Sequence, residues 1–313
     1  MKWNRLAGIL FLCFVFLNGY SQDKNEVYLF SYFMNNGEDG LHLAYSYDGL
    51  KWEALKGNQS FLTPEVGGDK LMRDPCIISG PDGKFHMVWT VSWKEKGIGY
   101  ASSKDLIHWS EQKNIPVMKH EATARNCWAP EIFYDADSKQ YLIFWSTTIP
   151  GRFPETESAG DDAYNHRMYY TTTKDFNDFS ETRLFYDQGF NVIDGTLVRE
   201  NGQYVLFLKN ETRNPPEKNI RITTSRELTG NYSSASDPIT GKYWAEGPTP
   251  VKIGDTWIVY FDKYMEHNMG AVRSTDLKNW EDISSQVVFP EGTRHGTVFK
   301  TDRKVLEKLL KIQ

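Results

Sequence analysis

Ala101-Ser102-Ser103-Lys104-Asp105-Leu106-Ile107-His108-Trp109 decides the fold, because the chain says it again elsewhere. Aligned on the acid, Tyr45-Ser46-Tyr47-Asp48, Ser102-Ser103-Lys104-Asp105, Thr172-Thr173-Lys174-Asp175 and Arg273-Ser274-Thr275-Asp276 share one pattern. Each acid is followed four residues later by an aromatic: Trp52, Trp109, Phe179 and Trp280. A degenerate copy, Thr223-Thr224-Ser225-Arg226-Glu227, reaches Tyr232 one residue late. Successive acids lie 57, 70, 52 and 49 residues apart, the period of a propeller or similar repeat array. Asp and Ser side chains bond nearby backbone in turns, so the motif reads as scaffold, with its aromatic packed between neighbouring repeats. Catalysis needs different groups from different repeats, which places the chemistry elsewhere.

Between copies lie long apolar runs, 84–91 (KFHMVWTV), 140–147 (QYLIFWST), 203–208 (QYVLFL) and 256–261 (TWIVYF), with turns PDG, DADS, ENG and IGD. β-Branched and aromatic runs bounded by such turns predict antiparallel strands. No helical periodicity is sustained before residue 302, and 305–312 (VLEKLLKI) predicts a short capping helix. The first long strand, 27–33, has no short strand ahead of it, and the last strand, 296–300, has no long partner after it. Pairing them completes a fifth sheet and removes the exposed edges of a linear array. The reading is all-β: a five-bladed β-propeller whose ring is closed by its N- and C-terminal strands, with a β-sandwich as the alternative.

Residues 1–22 read as a secretory signal peptide: Lys2 and Arg5, an apolar run over 6–17, then small residues at 19–21. The run is shorter than the roughly 18–20 residues of a membrane span, so export to the periplasm or the extracellular space is expected, with no membrane span after cleavage. The remaining 23–313 is expected to be one propeller domain. A net charge of −5 without a basic stripe argues against nucleic acid as a partner. Cys76 and Cys127 fall on adjacent inner strands; export permits a disulfide between them, and a pair of buried thiols is the other reading.

Inner strands of a propeller run side by side along the channel, so their starting ends meet at one mouth. Here they begin Arg73-Asp74-Pro75, Trp128-Ala129-Pro130-Glu131, Ile193-Asp194-Gly195, Glu246-Gly247-Pro248 and Arg294-His295-Gly296. Four carboxylates and a histidine are thereby brought together. WAPEI, the Ile-Asp and EGP strand starts and the late histidine resemble glycoside hydrolase family 43, over about 27–300. That family comprises inverting five-bladed enzymes, chiefly α-L-arabinofuranosidases, β-xylosidases and arabinanases.

The resemblance implies Asp74 as general base, Glu246 as general acid and Asp194 as the carboxylate that orients and tunes the acid. It implies that His295 lies near a hydrated structural metal in the central channel, often Ca²⁺, while the chemistry itself needs no cofactor. Arg73 stands where the family usually has Ala or His, and Gly195 where it often has Pro. Arg-Asp-Pro also occurs in related retaining β-fructosidases, but this chain has no early Asn-Asp-Pro-Asn nucleophile motif.

Inversion needs a protonated carboxyl at the leaving oxygen and an ionised one holding water on the opposite face. A neighbouring carboxylate helps the acid keep its proton. Arg73, Trp128, Glu131, Arg294 and His295 are the substrate-binding candidates, with ion pairing or packing as the alternative role of each. Trp93 and Trp145 are further stacking candidates, Lys209-Asn210-Glu211 either reaches the mouth or lies on the surface, and the insertion 149–167 is expected at the rim. With the leader, the resemblance implies a secreted inverting glycosidase acting on pentose-containing plant polysaccharides or their oligosaccharides, foremost an α-L-arabinofuranosidase because the family is rich in that activity. A β-xylosidase or related exo-glycosidase, and a non-catalytic carbohydrate-binding propeller, are the alternatives.

Overall fold

The period-2 runs fold as short antiparallel strands in five sheets. The computed structural model describes residues 25–160 and 162–312, so the expected signal peptide lies outside the described residues. The first described strands are β1 (Glu26–Tyr32), β2 (His42–Ser46) and β3 (Glu53–Ala54). Blade 1 is β4 (Arg73–Ser79), β5 (Phe85–Thr90), β6 (Ile98–Ser103) and β7 (Lys113–Ile115). Blade 2 is β8 (Trp128–Asp135), β9 (Gln140–Thr148), β10 (His166–Thr173) and β11 (Arg183–Tyr186). Blade 3 has three strands, β12 (Val192–Glu200), β13 (Gln203–Asn210) and β14 (Asn219–Ser225). Its outer edge is covered by an irregular segment that donates backbone bonds from Ser233, Ser236 and Ile239. Blade 4 is β15 (Glu246–Ile253), β16 (Thr256–Lys263), β17 (Asn268–Ser274) and β18 (Glu281–Asp282). The last strand, β19 (Gly296–Asp302), pairs with β1 from Tyr32↔Gly296 to Glu26↔Asp302 and closes blade 5. Helix α1 (Arg303–Leu309) follows; Asp302 caps it, and Leu306 and Leu309 are buried against the seam between blades 5 and 1.

The core is five seams, one between each pair of neighbouring blades. Alternation within a strand feeds both of its seams: Val27 and Leu29 of β1 pack towards blade 1, Tyr28 and Phe30 towards blade 4. The repeated motif locks each blade to the one before it. In four copies a Ser or Thr hydroxyl accepts from the backbone N–H three residues on, at 2.8–2.9 Å. The Asp carboxylate accepts two more N–H groups just beyond. These bonds hold Gly49, Leu106, Phe176 and Leu277 at positive φ and turn the following aromatic back across the seam. Trp52 reaches Tyr260 of blade 4, Tyr232 reaches Phe185 of blade 2 and Trp280 reaches Phe207 of blade 3.

Four inner strands share one distortion. Register slips by a bulge between Arg73 and Cys76, Trp128 and Glu131, Ile193 and Thr196, and Glu246 and Thr249. Each bulge holds one residue at positive φ: Asp74, Ala129, Asp194 and Gly247. Bulges re-aim side chains, and here they turn the strand starts towards the mouth.

Candidate active site

The bulges sort the predicted residues into two layers. Asp74 and Asp194 occupy the left-handed position itself, and Glu246 precedes it. All three line the mouth with Arg73, Thr90, Trp93, Trp128, Glu211, Tyr264, Arg294 and His295. Glu131 stands two residues beyond Ala129, in register with Cys76, Thr196 and Thr249. It is buried in the channel beneath the mouth and accepts from Cys76 Sγ and Thr297 Oγ1, each at 3.2 Å. It touches neither Arg125 nor the mouth, so the expectation that it binds substrate gains no contact. Burial pushes its carboxyl up to about 7, against the Cys76 bond and the positive charge of His295. Cys76 and Cys127 are both buried and free.

His295 is the hub. Its Nδ1 lies 3.3 Å from Asp74 Oδ1 and 3.9 Å from Asp194 Oδ2. Burial alone would disfavour the imidazolium, but Asp194, Asp74 and Glu246 raise it to about 9, so it is charged at neutral pH. Gly247 is required beside it: φ is +61°, and a Cβ there would lie 2.3 Å from the imidazole ring.

Asp74 also accepts from Thr90 Oγ1 at 2.8 Å. Burial works to raise its carboxyl, yet the His295 bond and charge, with Arg73, bring it down to about 2. It is firmly ionised. Asp194 accepts the Gly247 N–H at 3.1 Å. Burial raises it to about 7, opposed by His295 and reinforced by the charges of Glu246 and Asp74. Glu246 Oε2 accepts from Lys209 Nζ at 3.0 Å, and its Oε1 lies 3.6 Å from Arg294 Nη2. Burial would raise this carboxyl too, but Lys209, His295 and Arg294 hold it below its ordinary value. Burial and the charge of Glu246 thus push Asp194 up, while the surrounding cations hold Glu246 down.

Arg294 is fixed by Nε donating to buried Asp262 at 2.6 Å. Arg73 lies between the Phe33 and Trp93 rings, 4.6 and 4.3 Å from their centroids, and donates to Asn36 Oδ1 at 3.1 Å. Trp93 is 40% exposed and meets Trp128 edge to face at 5.4 Å, forming an aromatic wall. The insertion extends that wall: Tyr164 packs on Trp128 at 4.7 Å and carries the Arg125 guanidinium on its ring. Trp145 is buried in a seam and plays no part.

Lys209, Glu211, Asp262 and Tyr264 come from the far ends of second strands. Sequence reading raised only the first two, and left them open. The signal available for Asp262 and Tyr264 was their place just past the apolar run of β16, level with the start of β15 (Glu246↔Asp262).

The channel cation implied by the resemblance finds no direct ligand set. Among the described residues no three His, Cys, Asp or Glu groups converge as a cation site. His295 Nδ1 faces Asp74 and Asp194, and the belt hydroxyls are spent on protein: Thr196 on Pro248 O and Thr297 on Glu131.

Comparison with known proteins agrees with this architecture. A family model described as a probable glycosyl hydrolase domain, related to glycoside hydrolase family 43, matches residues 23–307. An α-L-arabinofuranosidase of Bifidobacterium longum subsp. longum is 25% identical over 246 residues, which are 66% of this chain and 23% of that protein. The chain thus spans about a quarter of that relative's length. The α-L-arabinofuranosidase structure from Lactobacillus brevis superposes with TM-score 0.52 at 17% identity, covering 68% of this chain and 72% of the other. An exo-β-1,3-galactanase from Clostridium thermocellum superposes with TM-score 0.59 at 13% identity, covering 83% and 59%. With the family match spanning nearly the whole chain and five blades gathering the expected carboxylates, the chain belongs to glycoside hydrolase family 43, a family of O-glycosyl hydrolases.

Proposed function

We propose that the protein is an exported inverting glycosidase that releases α-L-arabinofuranose from pentose-containing plant polysaccharides or their oligosaccharides. The observation that supports the catalytic part is the placement of three carboxyls around His295 at one mouth. Asp74 is held ionised by the imidazolium and Thr90, as a base must be to take a proton from attacking water. Burial and the charge of Glu246 raise the Asp194 carboxyl to about 7, which makes a proton available near Glu246, as an acid needs one to protonate the leaving oxygen.

In this reading Glu246 is the acid and Asp194 its proton partner. A sugar entering the mouth displaces water from the carboxylates and raises the proton affinity of Glu246, which then draws the proton. His295 keeps Asp74 oriented and balances the charge as the water becomes hydroxide-like. Arg73 and Arg294 offer N–H donors to sugar hydroxyls, and Trp93 and Trp128 offer apolar faces. A non-catalytic propeller has no use for an ionised base opposite a proton source.

The choice of arabinofuranose rests on the Bifidobacterium relative alone, and export on the leader-like first 22 residues. Aryl α-L-arabinofuranoside, β-xyloside and β-galactoside assayed side by side test the choice of sugar. Preference for the arabinofuranoside supports it; preference for either of the others replaces the sugar and leaves the carboxyl roles standing. Turnover of none of them, nor of arabinan or xylan fragments, favours the binding module.

A further inference from the structure

Lys209 is a buried cation behind the mouth that these roles leave without work. It is the penultimate residue of β13, and its side chain is 2% exposed. Its ammonium stands 3.0 Å from Glu246 Oε2, 2.6 Å from Glu211 Oε2 and 4.6 Å over the Tyr264 ring. Glu211 is gripped from behind by a second buried lysine, Lys218. Charges alternate along Glu246, Lys209, Glu211 and Lys218, leading away from the reacting carboxyl. Burying an ammonium is costly unless carboxylates compensate it on good geometry, and here two do, one of them the acid.

Several other groups face Glu246. Arg294 stands off at 3.6 Å with its Nε committed to Asp262. His295 is engaged with Asp74 and Asp194, Asp194 and Asp262 add negative charge, and Tyr264 contributes its ring. Lys209 differs from the two other cations in donating a direct hydrogen bond to the carboxylate.

We propose that Lys209 is a positioning residue for the general acid. Bonded to one oxygen of Glu246 and braced by Glu211, it turns the other oxygen to the leaving group and moves the alkaline limit of turnover towards acid pH. The proposal rests on the assignment of Glu246 as acid. The sign follows from the roles: an acid works only while protonated, so rate falls as pH rises through its pKa. A cation bonded to the ionised form brings that fall to lower pH. The depressed carboxyl of Glu246 is in keeping with this, Lys209 being the foremost influence opposing burial.

The test compares wild type with K209M, K209R and the double variant K209M/E211Q, which leaves one fewer stranded carboxylate where K209M alone fails to fold. The first readout needs no substrate: ¹³C NMR titration of glutamate carboxyls, with the Glu246 signal assigned by its loss in E246Q. The second is the pH profile of kcat/KM on the best aryl glycoside.

In K209M and the double variant both the Glu246 midpoint and the alkaline limb should rise by about one pH unit or more, as expected on removing an opposite charge at this range. K209R should stay near wild type. A midpoint within about 0.3 pH unit of wild type in both variants, or a uniform loss of rate with the limb unmoved, overturns the proposal. If wild type cleaves no glycoside, it is the acid assignment that has failed, and the NMR midpoint still decides whether Lys209 governs Glu246.

Discussion

Replacing Glu131 by Gln should make the protein more stable at alkaline pH and leave its catalysis alone. The carboxyl is buried in the channel, 6% exposed, with Cys76 and Thr297 donating to it. Burial lifts it from 4.5 to about 7. The unfolded chain ionises this group near 4.5 and the folded one near 7, so folding takes up a proton between those values. The stability curve therefore slopes down with rising pH across that window, and the whole penalty stands above about pH 7. At about 1.36 kcal/mol per pH unit, the lift amounts to roughly 3 kcal/mol. Gln keeps the shape and one acceptor oxygen but cannot ionise, so the variant escapes the penalty.

The assay is thermal unfolding of both proteins from pH 4.5 to 8.5. A constant offset from altering the Cys76 contact cancels when only the pH dependence of the Tm difference is read. At roughly 2 °C per kcal/mol for a chain of this size, that difference should grow by about 6 °C in favour of E131Q between pH 4.5 and 8. KM should not change, because Glu131 does not line the mouth. A Tm difference independent of pH would refute the burial argument, and a raised KM would return Glu131 to the substrate.

Three further perturbations separate chemistry from scaffold. Glu246→Gln should lower kcat by about 10²–10⁴-fold on substrates with a poor leaving group and by less on activated aryl glycosides, with sugar binding by calorimetry retained. Gly247→Ala should cost about 2 kcal/mol or more and most of the activity, since the added Cβ strikes the His295 ring at a positive-φ position; differential scanning calorimetry with kcat/KM checks both. Ser103→Ala removes the hydroxyl that accepts from Leu106 N and donates to His108 O. It should cost about 1–2 kcal/mol and leave kcat/KM within about twofold, whereas a large loss of rate would contradict the reading of the repeat as scaffold.

The propeller was legible because its construction is local. A hydroxyl, a carboxylate and an aromatic at fixed spacing make the same turn four times, and a strand without a partner at each end announces the closure. Asp74, Asp194, Glu246 and His295 were legible because strand starts meet at one mouth in any propeller. Layering was not. Glu131 looks equivalent to Asp74 on paper, but counting from the bulge puts it level with Cys76, Thr196 and Thr249, in the channel. The charge pattern around Glu246 was also out of reach, since it depends on Lys209 and, through Arg294, on Asp262. Those two sit at the far ends of β13 and β16, where a charged residue after an apolar run reads equally well as a surface turn. Arg73, which departs from the usual family pattern, has its explanation in three dimensions: it fills the gap between Phe33 and Trp93.

Asp74 as base directs water to the face opposite the group protonated by Glu246, and the anomer first released distinguishes this from attack on the sugar by a carboxylate. ¹H NMR of an α-L-arabinofuranoside digest, followed from the first minutes before mutarotation, should show β-L-arabinofuranose appearing first in wild type. Asp74→Asn should abolish its formation. Initial release of the α anomer would contradict the account, because it would require one of these carboxylates to attack the sugar itself.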